Sequence, residues 1–154
     1  MSRLVINKNS GVLNAINQQV ANWTVLFTKL HNYHWFVQGS NFLSLHAKFE
    51  EFYNEGAQHL DDLAERLLAI GGRPVATLKD CLQLASVKEA DGHETAEQML
   101  SVLIQDFSQM SKELQQGIEA AETAADAASG DMLLGIKESL EKHAWMLKAI
   151  LGKA

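Results

Sequence analysis

Eight side chains able to bind a metal crowd one stretch of this chain: His31, His34, His46, Glu50, His59, Asp61, Asp62 and Glu65. A set of imidazole nitrogens and carboxylate oxygens suits iron, and less exclusively zinc or manganese. The absence of cysteine from the set argues against a structural zinc site. Carboxylates also stabilise the higher charge of Fe(III) and can bridge two ions, as oxidation of Fe(II) requires. On a helix each residue advances ~100°. With His46 at zero, Glu50 then falls at about 40°, Asp61 at about 60° and Glu65 at about 100°. The four share one stripe.

Fifteen residues separate His46 from Asp61, which is ~22 Å along a straight helix at 1.5 Å per residue. One chain therefore cannot gather the stripe around one metal. Two copies of the helix packed antiparallel about a twofold axis would place Asp61 and Glu65 of one chain beside His46 and Glu50 of the other. The crossing point falls near 54–57, where Ala57, on the stripe at about 20°, is small enough for close approach. A short Gly39-Ser40 link would fold the preceding helix back so that His34 joins His46 of its own chain. Each dimer then holds two equivalent sites, each with two imidazoles and three carboxylates. Singly, an acidic residue on a helix is usually part of a solvated face, and a lone histidine beside an apolar stripe is usually a satisfied core residue. Five that converge favour the metal.

The elements that must carry these residues are legible as apolar periods. From Leu13, the positions Ile16, Val20, Trp23, Phe27 and Leu30 recur at steps of three and four, the spacing of one helix face. Asn9 or Ser10 can cap this first helix, and Gln38-Gly39-Ser40-Asn41 stops it. A second helix runs from after Asn41 to Ile70, where Gly71-Gly72-Arg73-Pro74 ends it. The stretch from Pro74 to Gly92 reads as a long crossover with a short helix over Leu78 to Leu84. A third long helix begins near Glu94 and fades into the alanine-rich, acidic 119–126 stretch, and a fourth begins near Asp131 and runs to Ile150. Short, long and short links between four long helices predict an all-α, ferritin-like four-helix bundle with one crossover. No internal repeat is visible, and residues 1–154 read as one domain.

Composition bounds the rest. With 154 residues and 47% hydrophobic content, the chain can bury a sizeable core, which excludes intrinsic disorder. One proline offers little material for a sandwich or barrel of short strands. Cys81, the single cysteine, cannot close an intrachain disulfide, and no long apolar core of a signal peptide or membrane span is present, so a reducing, cytoplasmic setting is expected. The net charge of -6 favours cations and repels nucleic acid.

His34-Trp35, Gly39, Asn41-Phe42, His46 with Glu50, His59-Leu60-Asp61, Ala64-Glu65-Arg66 and the closing Gly71-Gly72 resemble the core signature of the Dps family, the mini-ferritins named for DNA protection during starvation. The resemblance spans nearly the whole chain, and the spacings from His34 through His46, Glu50 and Asp61 to Glu65 match the family's ferroxidase positions. It implies a hollow homododecamer that oxidises Fe(II), preferably with hydrogen peroxide, at a di-iron centre and stores the product as ferric mineral. The intersubunit site deduced above is the one the family uses. Larger ferritins carry Glu-x-x-His inside each bundle, and this chain has none at matching places. Glu50 stands where relatives have aspartate.

The resemblance also sets Asp126 and Asp131 near residues that line threefold pores for Fe(II) entry, though either could simply cap or solvate a helix end. Trp35 could give an electron to a stray oxidant but reads first as packing. His31 could orient a ligand or cap the helix end. Cys81 reads as a small hydrophobe. DNA-binding members of the family owe that property largely to a lysine-rich tail, whereas residues 1–12 offer only Arg3 and Lys8. A nucleoid-associated structural role is the alternative reading, and the missing basic arm counts against it.

Overall fold

Apolar residues every three to four positions force helices to bury one stripe each, and the chain satisfies this with α1 (Ser10–Phe36), α2 (Phe42–Ala69), α3 (Leu78–Leu84), α4 (Ala96–Thr123) and α5 (Ala127–Ile150). The computed structural model describes residues 10–153; Asn9, Arg3 and Lys8 lie outside them. Both α1 and α2 are long enough, at 27 and 28 residues, to span ~40 Å.

Side-chain pairs fix the directions. His34 meets His46 and Trp23 meets His59, so α1 and α2 run antiparallel. Gln19 with Glu113 and Lys29 with Asp106 set α4 antiparallel to α1. Ser111 with Glu141, and Gly117 beneath Leu133, do the same for α4 and α5. Arg66 reaches Asp126 and Ser129 while Glu55 reaches His143, so α5 is antiparallel to α2. Going round the bundle the order is therefore α1, α2, α5, α4, and the diagonal pair α2 and α4 is parallel. Joining parallel neighbours in sequence requires a connection the length of the bundle, and the crossover containing α3 supplies it.

Phe49, Phe52, Leu63 and Leu67 of α2 pack inward against Ile16, Leu26, Leu30 and Tyr33 of α1, Leu103, Phe107, Met110 and Leu114 of α4, and Leu133, Leu140 and Leu147 of α5. Each such side chain contributes about 1.5–3 kcal/mol relative to exposure. The charged groups that enter this interior meet polar partners. Lys29 reaches Asp106 at 2.7 Å, and the Glu113 carboxylate accepts from Gln19, Asn22 and Gln109.

Helix ends follow their local chemistry. Past α2, Gly71 takes φ +88° while its N–H and that of Gly72 return to the Leu68 and Leu67 carbonyls, a turn that favours a residue without Cβ. Thr95 and Gln98 form a reciprocal capping box, so α4 starts at Ala96 rather than near Glu94. The Glu94 carboxylate instead accepts from the Asp91 and Gly92 N–H groups and the Tyr33 hydroxyl, tying the crossover to α1. α5 starts at Ala127 rather than near Asp131, because Asp126 is its N-cap. None of the described helices is long and apolar enough to cross a membrane.

Candidate metal centre

His34 sits in the last turns of α1 and His46 in the second turn of α2, and the turn at Gly39, with φ +113°, brings them face to face. Their rings stack at 3.6 Å and 14°. Each Nδ1 lies 2.7 Å from the other residue's backbone carbonyl oxygen. A carbonyl only accepts, so both rings must carry their proton on Nδ1 and present the lone pair on Nε2. The backbone has thus set the tautomer a metal ligand needs, and each ring orients the other.

Glu50, one turn beyond His46 on α2, is exposed, as are Asp61 and Glu65. Among the described residues none of the three carboxylates enters an ion pair or a side-chain hydrogen bond, so all remain available to a cation. Tyr53 closes one side, its ring 5.4 Å from His34 edge-on and 3.8 Å from His31 face-on. Desolvation, then the neighbouring Glu50 charge, pushes its hydroxyl above the usual phenol range. His31 donates Nδ1–H to the Phe27 carbonyl at 2.8 Å, which holds it in the aromatic cluster that Trp35, 65% exposed, extends.

Between the imidazole end and the Asp61–Glu65 end of the stripe, Phe27, Ala57, Leu60, Asp61 and Ala64 line a shallow depression of about 270 Å³. Its small residues leave the backbone of α2 open to close approach. Among the described residues no three histidine, cysteine or acidic side chains of one chain surround a common point at ligand distance. The donors are split along α2 in the way the sequence spacing implies.

The comparisons with known proteins agree with this architecture. The Ferritin family model, a ferritin-like domain, matches residues 13–154. General stress protein 20U of Bacillus subtilis is 57% identical over 141 residues, covering 92% of this chain and 97% of that protein. DNA protection during starvation protein 2 of Bacillus anthracis is 52% identical over 145 residues, covering 94% and 99%. The crystal structure of Dps from Staphylococcus aureus superposes with a TM-score of 0.90 at 56% identity, covering 91% of this chain and 94% of that one. The chain belongs to the Dps family of ferritin-like proteins.

Iron storage and DNA protection are the general roles of Dps and ferritin-like proteins, and iron is the metal they bind. Within this Dps chain, the pair Asp126 and Asp131 divides. Asp126 caps α5 by accepting from the Ser129 N–H at 3.1 Å and its hydroxyl at 2.6 Å, and it pairs with Arg66 at 2.8 Å. Burial alone would raise its carboxyl, but the bonds from Ser129 and Arg66 outweigh this and hold it below the usual carboxylate range. Asp131 is exposed and enters none of these bonds. Asp126→Ala should lower stability by about 1–2 kcal/mol, combining a lost N-cap and a partly exposed ion pair. Because the folded carboxyl is depressed, that contribution is complete above the ordinary aspartate range and is lost as pH falls through the folded value. Thermal unfolding of both proteins should therefore differ near neutrality and converge in acid.

Sequence reasoning missed two features. They are Tyr53, which flanks the imidazole pair, and His143, which falls in step with the apolar positions of α5. His143 is buried, yet its Nε2 lies 2.5 Å from Glu55 of α2, to which His59 and Ser139 also bond. The signal available was the four-residue spacing of Glu55 with His59 and of Ser139 with His143.

Proposed function

We propose that two chains related by a twofold axis complete two di-iron sites, each built from His34, His46 and Glu50 of one chain and Asp61 and Glu65 of the other. There Fe(II) is oxidised, preferably by hydrogen peroxide, and the ferric product is stored inside a shell of twelve copies in the cytoplasm. The observation that carries this reading is the reciprocal bonding of His34 and His46, which commits both Nδ1 atoms to the backbone and leaves the two Nε2 atoms for a metal. Two ferrous ions give up one electron each, and one hydrogen peroxide takes both with two protons and leaves as two waters. The chain's own part is to hold the imidazoles in the required tautomer and to supply carboxylates that favour the higher ferric charge. Asp131, with its free carboxylate, would carry most of any attraction of Fe(II) to a pore, with Asp126 committed to its helix.

The test is anaerobic loading with Fe(II) followed by a peroxide pulse, read as absorbance of the ferric product alongside solution mass. Rapid oxidation in a particle of twelve chains is expected. Oxidation no faster than that of free Fe(II) overturns the reading.

Protection of DNA in this chain would then come from removing Fe(II) and peroxide rather than from coating the nucleic acid. With a charge of -6 per chain and only Arg3 and Lys8 in residues 1–12, iron-free protein should not retain plasmid DNA at near-neutral pH and physiological salt. Tight, salt-sensitive retention in a gel-shift titration would revive the nucleoid-associated role.

A further inference from the structure

On α2, Glu55 lies about 180° and His59 about 220° around from His46 at ~100° per residue, so they face away from the His46 stripe and towards α5. Ser139 and His143 of α5 meet them there. Glu55 Oε1 takes bonds from His59 Nε2 at 3.1 Å and from the Ser139 hydroxyl, while Oε2 takes one from His143 Nε2 at 2.5 Å, and Ser139 Oγ lies 3.2 Å from His143 Nε2. Three side-chain atoms from two helices thus converge on one carboxylate. We infer that Glu55, His59 and His143, with Ser139 at hand, form a second site for a divalent first-row transition-metal ion, contained within a single chain.

Two imidazoles and one carboxylate are the donor set that suits Fe(II), Zn(II) or Co(II). Ligands ~2.1 Å from such an ion stand about 3.4 Å apart in a tetrahedron, against 3.1 Å from His59 to Glu55 and 2.5 Å from His143 to Glu55. Hydrogen bonds hold the imidazoles against the carboxylate, and as they stand these three side chains do not surround an empty point. An ion replaces those ring protons and moves the His143 and Glu55 side chains apart by about 0.9 Å. Burial on its own would raise the Glu55 carboxyl, but the bonds from His143, His59 and Ser139 hold it far below the usual carboxylate range, so it is charged and ready for a cation.

Only one ring nitrogen of His143 is satisfied. Its ring lies 4.6 Å from that of Phe52 and 6.3 Å from that of Phe107, an environment that an apolar side chain would fill, and its Nδ1 is buried with no partner. Leaving that nitrogen unpartnered is unfavourable in itself. His59 rests on the ring of Trp23 at 5.0 Å, which fixes the third donor.

Cobalt(II) tests the site in assembled protein carrying His46→Ala and Asp61→Ala, which disables the stripe on the other face. Four- or five-coordinate Co(II) absorbs far more strongly in the visible than octahedral Co(II). The titration should develop that absorbance and saturate at one ion per chain. Adding Glu55→Gln, nearly isosteric and still able to hydrogen-bond, should weaken it by about 100-fold or more, since even an outer partner of a metal ligand is worth about 10–100-fold. Adding His143→Phe should do the same, with helix content by circular dichroism confirming that both variants fold. No strong visible absorbance in the double-variant background, or absorbance untouched by Glu55→Gln in folded protein, overturns the proposal. This site is independent of the twofold one, so failure of ferroxidation in the wild-type chain would leave the result intact.

Discussion

Assemblies made only of His46→Ala chains, or only of Asp61→Ala chains, are expected to lose ferroxidation, and dimers that combine one of each to regain it. In the mixed dimer one site draws His46 and Asp61 from the two mutated positions and is lost. The other draws both from the unmutated positions and is intact. About half of the wild-type rate should return, against a fall of roughly 100-fold or more in each uniform assembly, where every site lacks a direct ligand. His46→Ala should be the harsher change, because it also removes the ring against which His34 is stacked and the Nδ1–H that the His34 carbonyl accepts. The hydrophobic faces of the helices are untouched, so assembly persists. Co-assembly of differently tagged chains and stopped-flow absorbance of the ferric product decide the matter. No recovery in verified mixed dimers sinks the intersubunit site.

Glu113→Leu is expected to cost about 3 kcal/mol of stability and lower Tm by roughly 10 °C. The carboxylate is only 8% exposed. Its Oε2 accepts from Gln19 at 3.0 Å and Asn22 at 2.7 Å, its Oε1 from Gln109 at 2.9 Å, and no cation is among these partners. Its charge is spread over amide dipoles instead. Asn22 in turn accepts the Ser86 N–H at 2.8 Å, so the network joins α1, α4 and the crossover. Leucine would fill the space but strand buried amide donors, which is the costly way to break a polar network. Glu113→Gln should fall between the two, since its own amide group would face other donors. A leucine variant that melts with the wild type would show that the network contributes nothing.

How much of this was open to sequence reading depends on the range of the interaction concerned. The helix α3 over Leu78–Leu84, the stop at Gly71-Gly72 and the crossover topology are local, and their apolar periods and turn residues state them. The meeting of His34 and His46 follows from one short link. The start of α5 was misjudged because the alanine-rich 124–130 stretch carries no apolar period, although Asp126 and Ser129 stand at capping distance. Glu55 and His143 are 88 residues apart, and no local period reveals which faces of α2 and α5 will meet. The proton positions on His34 and His46 rest on backbone carbonyls, which no side-chain pattern encodes.

The separation of His46 and Glu50 from Asp61 and Glu65 along α2 has a consequence for timing. Under the proposed site, a newly synthesised chain carries two unfinished halves and is chemically silent towards Fe(II) until it finds a partner. Oxidation then begins only on particles already committed to enclosing the product, which spares the cell ferric precipitate on stray subunits. The same division makes specific activity depend on protein concentration wherever dimers dissociate, with a second-order onset on dilution that a site held inside one chain would never show.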